Sequence, residues 1–177
     1  MENSDFDLVC GIRSGDKGAL DTLVRRWYPR IYGYVFKLTC NEQDSYDVTQ
    51  EIFIAMMQSI QSYRMRKKFD SWLFTIAHNK CMDYFRAQKK TGTTDNVQED
   101  VPSPEDLLDD SVTVSVAVRD ALDKLTDLQR EAVILRYYYQ FSVREIAQMT
   151  GAPLPTVKSR LKAAGKILSE YLQEGFQ

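Results

Sequence analysis

Apolar residues recur along the first ninety positions at the three- and four-residue spacing that is typical of amphipathic helices. Ser4 or Asp5 can cap a short first helix, and Gly15 ends it. A second helix begins near Lys17 and carries a long apolar stripe. Pro29 interrupts that stripe, and because an interior proline costs about 3 kcal/mol we expect a kink or break there.

The third predicted helix has two separate faces. It begins at Asn41, a favourable cap, and runs to about Tyr63. At about 100° per residue, its core face comprises Val48, Ile52, Ala55, Met56 and Ser59. A second stripe, far round the helix, comprises Asp47, Gln50, Ile54, Gln58 and Gln61. An isoleucine among polar residues suits a docking surface, although a solvated face with one stray apolar residue fits the same spacing.

A fourth predicted helix combines a buried face with a polar, partly basic one. It opens after residues 69–71, where Asp70 or Ser71 can cap, and continues to about Lys90. Its core side holds Leu73, Ile76, Ala77, Cys81 and Tyr84, and its outer side holds Trp72, Asn79, Asp83, Arg86 and Lys90. Four cations precede it in residues 64–68. Asn and Arg pair with bases and Trp stacks on them, so this face suits nucleic acid, or else it is simply solvated.

The carboxyl-terminal part shows the spacing of a helix-turn-helix. Thr126 can cap one helix, and Ser142 can cap a short one over residues 143–149. A turn with Gly151 at positive φ then leads into a longer helix over residues 155–172. Near the start of that helix, the residues that point away from the core are Thr156, Lys158, Ser159, Arg160 and Lys162. Recognition helices contact base edges from this position.

Charge divides the 177 residues into three parts. Residues 1–90 hold 14 bases and 11 acids (net +3), residues 91–117 hold no base and seven acids (net −7), and residues 118–177 hold nine bases and seven acids (net +2). Together with the helices predicted above, this division leads us to expect an all-α fold of two small helical domains, residues 1–90 and 116–177. A flexible acidic linker over residues 91–115 would join them. Two weakly basic modules suit a protein that reads DNA when a larger DNA-binding machine carries it.

The sequence argues against an enzyme, a metalloprotein and a membrane protein. No run of 18 apolar residues occurs and the amino terminus is polar, so we expect a cytoplasmic protein without a membrane span or secretory signal. Cys10, Cys40, Cys81 and His78 lack the spacing of zinc ligands, and structural roles are expected for them. Since no nucleophile–base pair or phosphate-binding glycine loop is present, we expect no catalysis, no cofactor and no small-molecule substrate.

Three strings together resemble the extracytoplasmic-function class of bacterial sigma factors, in the sigma-70 superfamily. They are DVTQEIF at 47–53, FDSWLFTIAHN at 69–79, and residues 125–161, which contain LQRE, SVREIA and TVKSRL. The strings stand in register across both modules, with the acidic linker between them. The resemblance therefore covers nearly the whole chain.

The resemblance implies a division of labour between the modules. The first would match sigma region 2, with a surface that docks on the clamp of the largest RNA polymerase subunit: Asp47, Gln50, Glu51 and Ile54. Recognition and opening of the minus-ten promoter element would fall to Arg66, Lys68, Trp72, Asn79, Lys80, Asp83 and Arg86. The second module would match region 4 and read the minus-thirty-five element with Thr156, Lys158, Ser159, Arg160 and Lys162. The linker would thread through the polymerase.

The chain departs from the family pattern at three positions of the last helix. Members commonly carry glycine where Pro155 stands and basic residues where Ala163 and Gly165 stand. The missing cations imply weaker contact with the minus-thirty-five DNA or a shifted sequence preference. Gly165 within a helix also costs roughly 1 kcal/mol relative to alanine.

The implied partners are the RNA polymerase core, promoter DNA and an anti-sigma protein, which in this class is often membrane-bound and could hold the chain at the membrane. The implied role is promoter-specific initiation of transcription in response to envelope or other stress. Two alternatives stay open on the residues alone. A stand-alone helix-turn-helix regulator would bind promoter DNA tightly without polymerase, and a helical adaptor would use the same stripes to bind only protein.

Overall fold

The computed structural model describes residues 3–64, 68–92 and 116–174, and within these ranges every regular element is a helix. The chain forms two compact units, residues 1–102 and 103–177. These observations confirm the predicted all-α fold with two helical domains. Most of the predicted linker, residues 93–115, lies outside the described ranges.

The helices α1 (Asp5–Arg13) and α2 (Lys17–Thr39) open the first unit. Ser4 caps α1, as predicted, through two reciprocal hydrogen bonds: Asp7 N donates to Ser4 Oγ at 3.2 Å, and Ser4 N donates to Asp7 Oδ2 at 3.1 Å. Gly15 adopts a φ of 92°, a conformation that a side chain disfavours. The first helix therefore ends where the sequence predicts.

Pro29 does not break α2, which continues through it as one helix. Of the predicted kink or break, the break is therefore wrong. Trp27 and Ile31 lie on either side of the proline and are 8% and 0% exposed. Their packing in the core outweighs the single backbone hydrogen bond that the proline cannot make.

The third helix, α3 (Glu42–Ser59), begins as expected and ends early. The Oδ1 atom of Asn41 accepts a 2.9 Å hydrogen bond from the backbone N–H three residues on, which confirms the predicted cap. The predicted end near Tyr63 is wrong, because the chain turns after Ile60. There, a guanidinium N–H of Arg13 donates to the carbonyl oxygen of Ile60 at 2.9 Å.

The fourth helix, α4 (Phe69–Thr91), starts before the residues that were expected to cap it. Lys68 occupies the cap position and makes no side-chain cap hydrogen bond. The predicted capping by Asp70 or Ser71 is therefore wrong, since both lie in the first turn. Phe69 is only 7% exposed, and its burial anchors the helix start in place of a polar cap.

One apolar core joins the four helices of the first unit. α2 packs against α1, α3 and α4, and α3 packs against α4. The residues buried there include Leu8, Val9, Leu23, Ile31, Tyr34, Val35, Leu38, Val48, Ile52, Met56, Leu73, Phe74, Ala77 and Cys81. Because α3 and α4 are both fixed by this core, their outward faces are held on a rigid base.

Across its described residues, 116–174, the second unit contains four α-helices: α5 (Val116–Asp123), α6 (Asp127–Val133), α7 (Val143–Thr150) and α8 (Leu154–Glu174). Thr126 and Ser142 cap α6 and α7, as predicted, each through a reciprocal capping box. α8 packs against α5, α6 and α7. The core of this unit includes Ala121, Leu125, Ala132, Ile134, Leu135, Phe141, Ile146, Met149, Val157 and Ala164.

A π-helical turn over Ile134–Tyr138, which the sequence did not indicate, follows α6 directly. Tyr139 N donates to the carbonyl oxygen of Ile134 at 3.1 Å, five residues back. Gln140 then takes a left-handed φ of 60°, and the Arg136 guanidinium donates to the carbonyl oxygen of Phe141 at 3.1 Å. The turn thus directs the chain into the helix-turn-helix pair.

Candidate nucleic-acid and protein interfaces

The outer face of α3 is solvent-exposed along its whole length. Ile54 is 53% exposed, and Met57, close by on the same side, is 47% exposed. Polar residues that are also exposed surround them: Asp47, Gln50, Glu51, Gln58 and Gln61. An apolar centre with a polar rim is the usual composition of a protein-binding surface. We call the set Asp47, Gln50, Glu51 and Ile54 the α3 surface.

One ion pair joins the α3 surface to α4. The ammonium Nζ of Lys80 lies 3.4 Å from Oε2 of Glu51, and the side chains are 33% and 63% exposed. Pairs in such exposed positions stabilise a fold by only about 0–1 kcal/mol. The structure therefore brings a residue predicted to bind DNA next to one predicted to bind protein, a proximity that the sequence did not reveal.

The outer side of α4 presents Asn79, Asp83 and Arg86 to solvent. Arg86 Nη1 lies 2.7 Å from Asp83 Oδ1, one helical turn away. Because the carboxylate orients the guanidinium and partly neutralises it, a phosphate or base that binds Arg86 has to compete with Asp83. Asp83 is thus better placed to orient Arg86 than to meet DNA itself.

Trp72 is only partly exposed, because its ring takes part in an aromatic cluster. The ring centroids of Trp72 and Tyr63 are 4.7 Å apart, and those of Trp72 and Phe69 are 5.5 Å apart. Phe69 also contacts the buried Trp27 at 5.5 Å. The cluster fixes the orientation of Trp72 before any ligand arrives, which suits a stacking platform.

The basic run before α4 is described only at its two ends. Arg66 lies outside the described residues, whereas Arg64 and Lys68 are both exposed. The approach to this run is held by Arg13, whose guanidinium donates to the backbone carbonyl oxygens of Ile60 and Tyr63. No local sequence pattern indicates this role, because the partners of Arg13 are 47 and 50 residues away.

In the second unit, the first two turns of α8 combine a buried side with a basic one. Val157 is fully buried. After it, Lys158, Ser159 and Lys162 face solvent. Thr156 and Arg160 are partly exposed. All five predicted minus-thirty-five residues therefore reach solvent, in the part of the helix that enters a groove in helix-turn-helix complexes.

The turn between α7 and α8 is built as the sequence indicates. Gly151 has a φ of 66° and ends α7, and Thr150 Oγ1 donates to the carbonyl oxygen of Ile146 at 2.8 Å. α8 begins at Leu154, one residue before the predicted Pro155. Arg144 is exposed on α7, the helix that crosses the DNA backbone in this motif. It is an additional phosphate-binding candidate that the sequence analysis missed.

The positions that depart from the family pattern lie on α8 itself. Pro155 and Gly165 are exposed, and Ala163 is partly exposed. A Cβ atom added at Gly165 would meet nothing within 4 Å, so no close packing requires glycine there. The absence of cations at Ala163 and Gly165 leaves Lys158, Arg160, Lys162 and Lys166 as the basic residues of this helix.

The cysteines and the single histidine lie apart from these surfaces. Cys10 is exposed on α1, Cys40 follows α2, and Cys81 and His78 are buried on α4. In the described ranges, no three His, Cys, Asp or Glu side chains lie together as metal ligands would. Nor does any described helix combine the length and apolar character needed to cross a membrane.

Comparison with protein families gives a match in each unit. Residues 23–91 match sigma-70 region 2, and residues 115–168 match sigma-70 region 4. The ECF RNA polymerase sigma factor SigK of Mycobacterium sp. (strain KMS) is 30% identical over 176 residues, which are 96% of this chain and 91% of that protein. SigE of Mycolicibacterium smegmatis is 33% identical over 168 residues, 90% of this chain and 65% of that longer protein.

Two solved structures share the fold. The sigma factor RpoE of Bartonella quintana, in complex with the anti-sigma factor NepR, superposes with a TM-score of 0.71 at 23% identity and covers 86% of this chain and 96% of its own. CnrH, in complex with the cytosolic domain of CnrY, gives a TM-score of 0.70 at 24% identity and covers 97% and 99%. At these identities the likeness concerns the fold alone.

Proposed function

This chain belongs to the extracytoplasmic-function class of RNA polymerase sigma factors, and from that membership we propose how its surfaces divide the work of promoter recognition. As a sigma factor, it binds the RNA polymerase core and promoter DNA and directs the initiation of transcription. The observation that carries this function is the match to sigma-70 region 2 and region 4, in that order, in one chain. Neither a stand-alone regulator nor a protein adaptor accounts for both matches.

In our proposal, residues 1–90 bind the polymerase and open the minus-ten element, and residues 116–177 read the minus-thirty-five element. Residues 91–115 connect them, and their seven acids suit passage through a cationic channel of the polymerase. Each unit has its own core, which supports independent docking of the two modules on separate sites.

The α3 surface is the proposed polymerase contact, and its partner is the clamp region of the largest subunit. Its support is the exposure of Ile54: about half of this side chain is already covered within the unit, so complete burial by a partner would gain roughly 1 kcal/mol. Asp47, Gln50 and Glu51 form the polar rim that gives such a contact its orientation.

The minus-ten element is the proposed ligand of α4 and of the basic run before it. The cations Lys68, Lys80 and Arg86 suit the phosphates, and the exposed amide of Asn79 suits a base edge. Trp72, held in its aromatic cluster, is the platform for an unstacked base. Arg66 and Asp83 complete the proposed set, the latter through its ion pair with Arg86.

The minus-thirty-five element is the proposed ligand of α8. Lys158, Arg160 and Lys162 supply positive charge in the first two turns, where Thr156 and Ser159 add short hydroxyl groups that reach bases or phosphates. With only these cations on the face, we expect moderate affinity that depends on the polymerase for full occupancy of the promoter.

Regulation by an anti-sigma protein is also part of the proposal. Its support is the solved structure of similar fold in which the sigma factor RpoE of Bartonella quintana is bound to the anti-sigma factor NepR. A membrane-bound anti-sigma factor would couple envelope or other stress to release of this chain. We propose that the chain acts in the cytoplasm, where the polymerase works, and that it has no catalytic activity, cofactor or small-molecule substrate of its own.

Run-off transcription tests the function directly. Core polymerase is incubated with fragments of the source genome, with and without the full chain, and the transcripts are mapped. We expect discrete new start sites only when both proteins are present, and weak binding of DNA by the chain alone. Tight, specific promoter binding without polymerase, or no change in transcription on adding the chain, would contradict the proposal.

A further inference from the structure

Arg13 reaches from the last turn of α1 to the backbone of the turn that follows α3. Its Nε and Nη2 atoms donate to the carbonyl oxygen of Ile60 at 3.1 Å and 2.9 Å, and Nη2 also donates to the carbonyl oxygen of Tyr63. Charge-assisted hydrogen bonds of this kind are roughly twice as strong as neutral ones. One side chain therefore fixes the backbone at both ends of the turn.

The residue held in this way leads directly to the proposed DNA-binding elements. Tyr63 immediately precedes Arg64, the first cation of the basic run, and its ring packs against Phe69 at 5.7 Å and Trp72 at 4.7 Å. Holding the carbonyl of Tyr63 thus also holds the ring against which Trp72 is oriented.

Electrostatics show that this corner is compact and charged. Burial raises the pKa of the Tyr63 phenol, the carboxylates of Asp5 and Asp70 raise it further, and the nearby Arg13 guanidinium opposes them. Groups from α1, from the turn and from the first turn of α4 therefore lie within interaction range of one another. Arg13 is the cation among them that bonds to the backbone of the turn.

We propose that Arg13 is a positioning residue for promoter opening: its bonds to Ile60 and Tyr63 set the direction in which Arg64 leaves the turn and the place of Trp72 beside it. The role rests on the proposed function of α4 and the basic run. Side chains whose backbone is fixed before binding lose less conformational freedom on binding a single strand, so the contacts of Arg64 and Trp72 yield more affinity. The arginine itself touches no DNA.

The test uses holoenzyme reconstituted from the full chain and core polymerase, on a promoter mapped by run-off transcription. A duplex with 2-aminopurine in the minus-ten element reports opening, and a fluorescent single-stranded oligonucleotide of the non-template minus-ten sequence reports capture. Arg13→Met removes the hydrogen bonds and keeps the side-chain volume. Arg13→Lys keeps the charge, but its single ammonium replaces the planar guanidinium that donates to two carbonyl groups.

Arg26→Met is the matched control. Arg26 also anchors α1, since Nη1 lies 2.7 Å from Asp5 Oδ1 and Nη2 donates to the Asn3 carbonyl oxygen at 2.8 Å, but it does not bond to the turn. Both variants therefore lose comparable contacts of α1. They differ in whether the lost contacts reach the basic run.

We expect Arg13→Met to weaken opening and oligonucleotide binding by about fivefold to tenfold, because only part of the free energy of its three hydrogen bonds acts on these steps, with polymerase affinity within about twofold of wild type. Opening and oligonucleotide binding by Arg13→Lys should lie between those of Arg13→Met and wild type, and those of Arg26→Met should stay close to wild type. The positioning role is overturned if Arg13→Met and Arg26→Met have equal effects. It is also overturned if, in both Arg13 variants, promoter opening declines only in proportion to polymerase affinity. Failure of the proposed function would instead appear in the wild-type chain, as absent transcription.

Discussion

The phenol of Tyr84 donates a 2.6 Å hydrogen bond to Oδ2 of Asp44, and this bond ties the middle of α4 to the first turn of α3. Burial raises the pKa of Tyr84, and the hydrogen bond and charge of Asp44 raise it further, so the phenol stays protonated and donating throughout the physiological range. The α3 surface and the outer face of α4 are therefore held in a fixed relationship by a polar bond as well as by the core.

Removing this phenol should weaken the first unit measurably. We expect Tyr84→Phe to lower the free energy of unfolding by about 1 kcal/mol, the usual net contribution of such a bond. Urea denaturation monitored by circular dichroism measures it. Tyr137→Phe is the control, since that side chain is 70% exposed and its hydroxyl should contribute little. Equal stability of the two variants would contradict the prediction.

Lys37 gives the first unit a distinctive pH dependence. Burial lowers its pKa to about 8, from a value of 10.5 when unfolded, and its Nζ donates to the Gly33 carbonyl oxygen at 3.4 Å. Because the folded state binds the proton less tightly than the unfolded state, stability is lowest below pH 8 and rises toward pH 10.5. Lys37→Met should therefore stabilise the chain by about 1–3 kcal/mol near pH 7 and by less near pH 9.5.

Urea unfolding of wild type and Lys37→Met at the two pH values tests this difference. The comparison stops near pH 9.5, below the ordinary tyrosine pKa of about 10, so that most phenols stay protonated and their ionisation affects both proteins alike. A stability difference between the two proteins that is the same at both pH values would show that the ammonium is well solvated.

The apolar centre of the α3 surface can be tested without disturbing the core. Ile54→Glu should weaken binding to core polymerase by about tenfold or more, because a buried hot-spot contact is replaced by a charge. Phe6→Glu is the matched control: Phe6 is 56% exposed and Ile54 is 53% exposed, but Phe6 lies on α1 and is not part of the α3 surface. Affinity is measured by fluorescence anisotropy with labelled chain. If both substitutions weaken binding equally, the surface has been placed wrongly.

The basic start of α8 should control recognition of the upstream promoter element. Replacing both Lys158 and Arg160 with alanine should reduce transcription in the run-off assay, while polymerase affinity is retained. The slope of log K for DNA binding against log salt concentration should become shallower by about two, as loss of two phosphate contacts predicts. Lys166→Ala is the control, because Lys166 lies further along α8 and faces Glu170 at 3.9 Å. Transcription at the wild-type level by the double variant would show that this helix does not recognise promoter DNA.

The caps and stripes of the fold could be predicted because they depend on neighbouring residues. Ser4, Asn41, Thr126 and Ser142 each bond to a backbone N–H three residues away, so the sequence alone locates these helix starts. The continuous passage of α2 through Pro29 could not be predicted, because burial in the tertiary core decides it. The π-helical turn and the start of α4 likewise depend on packing rather than on local signals.

In the candidate surfaces, too, local features could be predicted and features that depend on tertiary contacts could not. Helical spacing alone places Ile54 and Asn79 on outward faces, and both are exposed. Spacing could not reveal that Trp72 is held in an aromatic cluster, or that Asp83 pairs with Arg86. Arg13 was missed altogether, because its partners belong to another helix end and no local pattern connects them.

Because Lys80 and Glu51 face each other between α4 and α3, whatever contacts one of them changes the electrostatic surroundings of the other. Under the proposed roles, a polymerase cation that draws Glu51 aside leaves the Lys80 ammonium to a promoter phosphate, and a phosphate that draws Lys80 aside leaves the carboxylate to the polymerase. Each ligand then favours the other by the same factor, as reciprocity requires. At an exposed pair that coupling amounts to a few tenths of 1 kcal/mol, a small cooperative bias toward the complete ternary assembly.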